Sequence, residues 1–287
     1  MRLGEKLNQV WRLFGTGLSF ACFGVGGVVL SLTLFPLIRL TSPDADTTRR
    51  RIQRAMHHTF RLFVLQMRLL GLISYEVSCV ERLNQRGRLV VANHPSLIDV
   101  VLLIALMPEA DCIVKQALLR NPFLRWPVVW ADYTPNHGSP EQLVEDAAAK
   151  LRAGRSLIVF PEGTRSVPGR PLTMQRGAAR IALAAGAEIL PVTIVCRPPM
   201  LTKGEPWYSI PAQPGHWQLQ VGEPFHPADL APPGVPEPVA ARRLTQHFID
   251  YFSGTLTAIT RTQEPAGSVL AADCTMREPR SQESVTN

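Results

Sequence analysis

Two polar loops in this chain combine residue types suited to acid–base and anion chemistry. Val91-Ala-Asn-His-Pro-Ser-Leu-Ile-Asp99 puts a histidine just past an apolar run and an aspartate five residues on. A histidine, with an ordinary pKa of about 6.5, can take a proton at neutral pH. A nearby aspartate can accept its other ring N–H, fix the tautomer and stabilise the imidazolium. Ser96-Leu-Ile-Asp99 also has the spacing of a helix cap, in which Asp99 would serve only the helix N-terminus. Phe160-Pro-Glu-Gly-Thr-Arg-Ser166 is the second loop. Gly163 lets backbone approach a ligand, Arg165 offers forked donors suited to phosphate, and Thr164 and Ser166 add hydroxyls. Alone, this stretch also reads as a turn with a solvated arginine. Together, each directly after an apolar strand, the two loops point to one site.

The elements that must position them follow from periodicity. Arg88–Asn93 reads as a buried strand and Ser96–Met107 as a helix. Ser139-Pro140-Glu141-Gln142 is an N-cap with proline at the first helical position, opening a helix to Arg152 that Gly154 stops. Strands follow at Ser156–Phe160 and Leu190–Val195, with a helix over Gln175–Ala185 stopped by Gly186 between them. Trp217, Leu219 and Val221 alternate in a further strand, and a last helix covers Ala240–Ile259. Strands alternating with helices predict an α/β fold: a central, mostly parallel or mixed sheet flanked by helices. In such sheets reacting groups lie beyond the carboxyl ends of the strands.

Ahead of this body, Leu13–Ile38 contains no charged side chain over 26 residues. As a helix that run is about 39 Å long, against a hydrocarbon core of about 30 Å. No small-residue cleavage site follows it, so it reads as a membrane element rather than a removed signal. A full span and a tilted insertion into one leaflet both fit. The bases that follow, Arg39, Arg49, Arg50, Arg51 and Arg54, outnumber Arg2, Lys6 and Arg12 before it, which puts the body on the cytoplasmic side. From Thr47 to Leu72 apolar residues recur at steps of three and four, with arginines and His57–His58 on the other faces. That is a basic amphipathic helix, lying either in the membrane interface or on the domain.

Composition narrows the classes. With 46% hydrophobic and 18% charged residues the chain can build a core. Nine Lys or Arg against three Asp or Glu in residues 1–65 carry nearly all of the net charge of +7. Bases flanking an apolar segment fit anionic lipid, and no nucleic-acid partner is expected. The five cysteines are scattered, which argues against a disulfide framework or a structural zinc site. No H-E-x-x-H, P-loop or G-x-S-x-G occurs, so neither a metal nor a serine acyl-enzyme is expected. Trp126, Trp130, Trp207 and Tyr208 read as core or interfacial packing, Lys203 as a solvated loop base and His137 as a turn residue.

Asn93-His-Pro-Ser-Leu-Ile-Asp99 resembles the H-x-x-x-x-D block of the glycerophospholipid acyltransferases, and Phe160-Pro-Glu-Gly-Thr-Arg-Ser166 their E-G-T-R block. Leu190-Pro-Val-Thr-Ile194 is similar to a further block, in matching order and spacing. The blocks resemble those of bacterial 1-acylglycerol-3-phosphate acyltransferases. The resemblance implies His94 as general base with Asp99 as its partner, and substrate contacts from Asn93, Lys115, Glu162, Gly163, Thr164 and Arg165. It implies no bound cofactor, with a thioester of acyl-CoA or acyl carrier protein as co-substrate. Its implied partners are membrane lipid and a lysolipid acceptor, in phospholipid biosynthesis at a bacterial inner membrane. Residues 1–73 would then be the membrane element, 74–262 the α/β acyltransferase domain and 263–287 a disordered tail.

The family's G-x-x-x-x-R-like stretch, whose arginine helps hold the acceptor phosphate, is replaced here by Ala131-Asp-Tyr-Thr-Pro-Asn136. Losing one charge-assisted contact costs about 1.5–3 kcal/mol of binding. Lys115, in a loose match to K-x-E-L, would compensate. The acceptor is therefore left open between 1-acylglycerol-3-phosphate and another hydroxylated lysolipid of specialised synthesis. A non-catalytic lipid-binding protein of the same fold and a lipid hydrolase are the competing readings.

Overall fold

The computed structural model describes residues 3–120, 122–136, 138–232 and 234–262. The tail expected from residue 263 and the turn histidine His137 lie outside them. Among the described residues seven strands form one sheet: β1 (Ile73–Ser78), β2 (Leu89–Ala92), β3 (Ala110–Lys115), β4 (Thr134–Asn136), β5 (Ser156–Val159), β6 (Ile189–Arg197) and β7 (Gly215–Val221). Their order is β1-β7-β6-β2-β5-β3-β4. All neighbours run parallel except β6 and β7, so the sheet is mixed. The short runs at β1, β3 and β4 were not read from sequence. Ala110-Asp-Cys-Ile-Val-Lys115 mixes polar and apolar residues, and β4 is three residues paired to β3.

Helices cover both faces. α1 (Leu3–Leu32), α2 (Leu34–Thr41) and α3 (Ala45–Leu69) precede the sheet. α4 (Asp99–Leu106), α5 (Ala117–Arg120), α6 (Pro122–Trp130), α7 (Pro140–Arg152), α8 (Gly177–Ala185) and α9 (Glu237–Thr262) follow in order. β2 is buried on both sides. Val90 and Ala92 join the core with Ile52 of α3 and Leu102 of α4, while Leu89 and Val91 join the one with Leu151, Ile181 and Phe248. Burying each such side chain contributes about 1.5–3 kcal/mol. The N-cap of α7 forms as its sequence predicts, with Ser139 Oγ accepting from Gln142 N–H.

Three expectations are corrected. The apolar run at 13–38 is not one helix. It breaks at Thr33, because Pro36 has no N–H and its ring would clash with the carbonyl of Leu32. The helix after His94 starts at Asp99, not Ser96, because the Asp99 carboxylate takes the Ser96 N–H and holds Ser96–Ile98 in a turn. His57 is not on the basic face: it is buried, a ring nitrogen 2.9 Å from the Ile104 carbonyl, while His58 is exposed. The inner side of α3 packs across α4, and its outer side carries Arg51, Arg61 and Arg68 beside exposed Leu62, Leu65 and Leu69.

Candidate active site

β2, β5, β3 and β4 are parallel, so the residues that follow them emerge along one edge of the sheet. The β2 exit is fixed by Asn93. Its amide donates to the Ile194 carbonyl at 2.8 Å and accepts the Ile194 N–H at 2.7 Å, which extends the β2–β6 pairing. Both ends of that buried side chain are thus spent on backbone, so Asn93 aims the loop and is not free to hold substrate as the resemblance implies. The His94 N–H donates to Glu162 Oε1 at 2.9 Å, and the His94 carbonyl accepts the Ser166 N–H at 2.8 Å. Ser166 Oγ also donates to Glu162 Oε1, at 2.8 Å. The two loops singled out in the sequence are therefore knitted together across β2 and β5.

The His94 ring stacks on Phe160, centroids 4.3 Å apart, and its Nδ1 lies 2.9 Å from Asp99 Oδ2. The His94 side chain keeps 17% of its surface exposed, and that of Asp99 keeps none. Asp99 Oδ2 also accepts the Ser96 N–H at 2.7 Å, and Oδ1 accepts the indole N–H of Trp217 at 3.2 Å. Burial pushes the Asp99 carboxyl up, opposed by the bonds from His94, Ser96 and Trp217. The Ser96 and Trp217 N–H groups donate to it, and a carboxylate has lone pairs left to accept a third bond from His94 Nδ1. A proton on Nδ1 leaves Nε2 with a lone pair, the tautomer a general base needs. The cap reading of Ser96–Asp99 is corrected: the helix starts at Asp99 with no side-chain cap, and the carboxylate instead takes the Ser96 N–H and lies against His94.

The other candidates line the same edge with different tasks. Glu162 bridges loops, and burial raises its carboxyl above the usual range. Gly163 has φ +67, a left-handed turn that a side chain would strain. Thr164 is half-buried beside it. Arg165 turns one terminal nitrogen onto the carbonyls of Leu201 at 2.7 Å and Thr202 at 2.9 Å, tying in the loop after β6. Leu97 N–H reaches the same Leu201 carbonyl. Lys115 is exposed at the end of β3, opposite Asn136 in register, and β3 lies two strands from β2, an offset of about 10 Å. Lys203 is exposed, in keeping with a solvated base. Among the described residues no group of three or more His, Cys, Asp or Glu is set to hold a metal. Sequence reasoning missed Trp217 as a site residue, and the Leu201–Thr202 carbonyls as the anchor of Arg165.

Residues 74–195, from the start of the sheet into β6, match the family model named Acyltransferase. A 1-acyl-sn-glycerol-3-phosphate acyltransferase of Pseudomonas aeruginosa is 24% identical over 234 residues, 78% of this chain and 86% of that protein. One from Cocos nucifera is 34% identical over 110 residues, 36% of each chain. The crystal structure of the 1-acyl-sn-glycerophosphate acyltransferase of Thermotoga maritima superposes with a TM-score of 0.71 at 21% identity, covering 88% of this chain and 98% of that one, and supports the fold. Matched family domain and curated relatives agree: residues 74–195 form an Acyltransferase-family domain, and the relatives it is similar to are 1-acyl-sn-glycerol-3-phosphate acyltransferases.

Proposed function

We propose that the protein moves a fatty acyl group from the thioester of acyl-CoA or acyl carrier protein to a hydroxyl of a lysophospholipid such as 1-acylglycerol-3-phosphate. The observation that carries this reading is the 2.9 Å contact between His94 Nδ1 and the buried Asp99 carboxylate, with the ring at a partly open edge. Nε2 takes the proton of the acceptor hydroxyl as its oxygen attacks the thioester carbonyl. The C–S bond then breaks, and the departing sulfur takes the proton back from the imidazolium. A thiol pKa of about 8.5 makes that sulfur a good leaving group, so no covalent acyl-enzyme is needed. Holding both substrates at one edge supplies the proximity term.

The membrane side of the proposal rests on α1, whose amphipathicity is inside-out. Leu7, Trp11, Phe14, Leu18, Val25, Val29 and Leu32 recur at steps of three, four or seven and are exposed, while Arg12, Thr16, Ser19 and Ser31 face the protein and are buried. The water-soluble pattern is the reverse. The helix docks along its length: Arg12 donates to the Pro211 and Gln213 carbonyls, Phe20 meets Trp207, and Phe23 meets Phe60 and Phe63. Docking of this kind favours insertion into one leaflet over a perpendicular span, with the site at the cytoplasmic surface.

Asn136 beside Lys115 at the sheet edge favours a second reading, an acceptor without a phosphomonoester. Purified protein with acyl-CoA or acyl carrier protein thioester and a lysolipid panel tests both. We expect acceptor-dependent thiol release matched by acylated product, lost in H94A. Fatty acid released without acceptor indicates a hydrolase, and vesicle binding without turnover a lipid-binding protein. Full activity in H94A removes His94 from the mechanism.

A further inference from the structure

Asp99 Oδ1 has one hydrogen-bond donor among the described residues, and it comes from β7, two strands from β2. Trp217 stands on β7, the antiparallel strand, opposite Cys196 of β6 and Tyr75 of β1. It is wholly buried, as is Asp99, and the two are 118 residues apart in sequence. The surroundings are cut to fit the indole. A Cβ at Gly215 would sit 2.5 Å from Trp217 Cζ3 and 2.5 Å from Met200 Sδ, so only glycine at 215 lets the ring lie where its N–H reaches Oδ1. A large apolar side chain would fill the same core without that bond. An N–H on a solvent-free carboxylate both orients it and favours its charged form.

We infer that Trp217 is a positioning residue for acyl transfer: its indole N–H pins Asp99 Oδ1, which keeps Oδ2 aimed at His94 Nδ1. The inference rests on His94 acting as the base. Without the indole N–H, Oδ1 is bare in a dry site and the carboxyl can rotate or protonate. A carboxylate that has lost a donor takes a proton more readily, so the acid limb of activity moves to higher pH.

The test uses two variants, W217F and Trp217→3-benzothienylalanine, the second an isostere with sulfur in place of Nε1–H that keeps the core filled. Expected for both is a fall in kcat of roughly 10-fold or more, with KM for acceptor and thioester within about twofold. The acid limb of log kcat against pH is expected to rise by roughly one unit. Unchanged kcat and acid limb in the isostere overturn the inference while leaving wild-type transfer, and hence the proposed function, intact. The His94 Nδ1–H proton resonance reads the same bond without turnover, so the inference is decided even if no acceptor is acylated. It is expected to shift in both variants, and an unshifted resonance refutes the positioning role.

Discussion

His94 is held at three points: its N–H by Glu162, its carbonyl by Ser166 and its ring by Asp99 and Phe160. Glu162 pays for this bridge in desolvation, since burial lifts its carboxyl above the ordinary range against the opposing bonds from His94 and Ser166. Between the ordinary pKa and the raised one, the folded protein holds a proton on Glu162 more readily than the unfolded chain does. The stability this group contributes is fully present below its ordinary pKa and is lost as pH rises through the raised one. Gln keeps an oxygen to accept both bonds and has no charge to desolvate. The melting temperature of E162Q, relative to wild type, should therefore climb as pH rises above the ordinary glutamate pKa of about 4.3 and through the raised one. Paired thermal melts across that range measure it, and a difference independent of pH contradicts the assignment.

At the scale of elements, what could be read from sequence was what is local. The cap at Ser139, the stop at Gly186 and the buried runs of β2, β5 and β6 each follow from neighbours within a turn or a strand. The His94–Asp99 pair was legible because five residues and one turn separate its members. β3 was not, because its buried Asp111 is tolerated only through Arg155, 44 residues on, and Gln53 of α3. Trp217 was illegible as a site residue for the same reason, its partner lying 118 residues away in sequence. The break at Thr33 has a sequence signal in Pro36, which a count of apolar residues over 13–38 does not register. What the count did identify correctly is an apolar surface. Val25, on the outer stripe of α1, is 64% exposed and a Cβ at neighbouring Gly24 or Gly26 would meet nothing within 4 Å. V25D should therefore leave detergent-solubilised stability within about 0.5 kcal/mol. Partition into vesicles should fall by roughly 10-fold or more, since a charge replaces buried hydrocarbon. A sedimentation assay with wild-type partition would contradict the leaflet orientation.

Over the whole molecule, apolar contact and charge act in series. α1 carries the exposed apolar stripe that the proposal inserts, while α2 and α3 carry Arg39, Arg51, Arg61 and Arg68, exposed and with no acid paired to them among the described residues. Arg50 and Arg54, by contrast, are ion-paired, though Asp46 is shared with Arg49 and Glu109 with Arg86, so each cluster keeps one net positive charge. Each unpaired base near an anionic surface is worth about 1 kcal/mol, and the attraction decays over about 10 Å at 0.1 M salt. The stripe should therefore fix whether the protein binds a bilayer, and the four arginines how strongly it prefers an anionic one. Raising salt from about 0.1 to 0.5 M should erase most of the preference for anionic over neutral vesicles, yet leave binding to neutral vesicles nearly unchanged. Replacing Arg61 and Arg68 with Gln should weaken the anionic preference at low salt and flatten its salt dependence. If both vesicle types lose the protein equally as salt rises, the apolar stripe is not the anchor, and the proposed one-leaflet insertion fails with it.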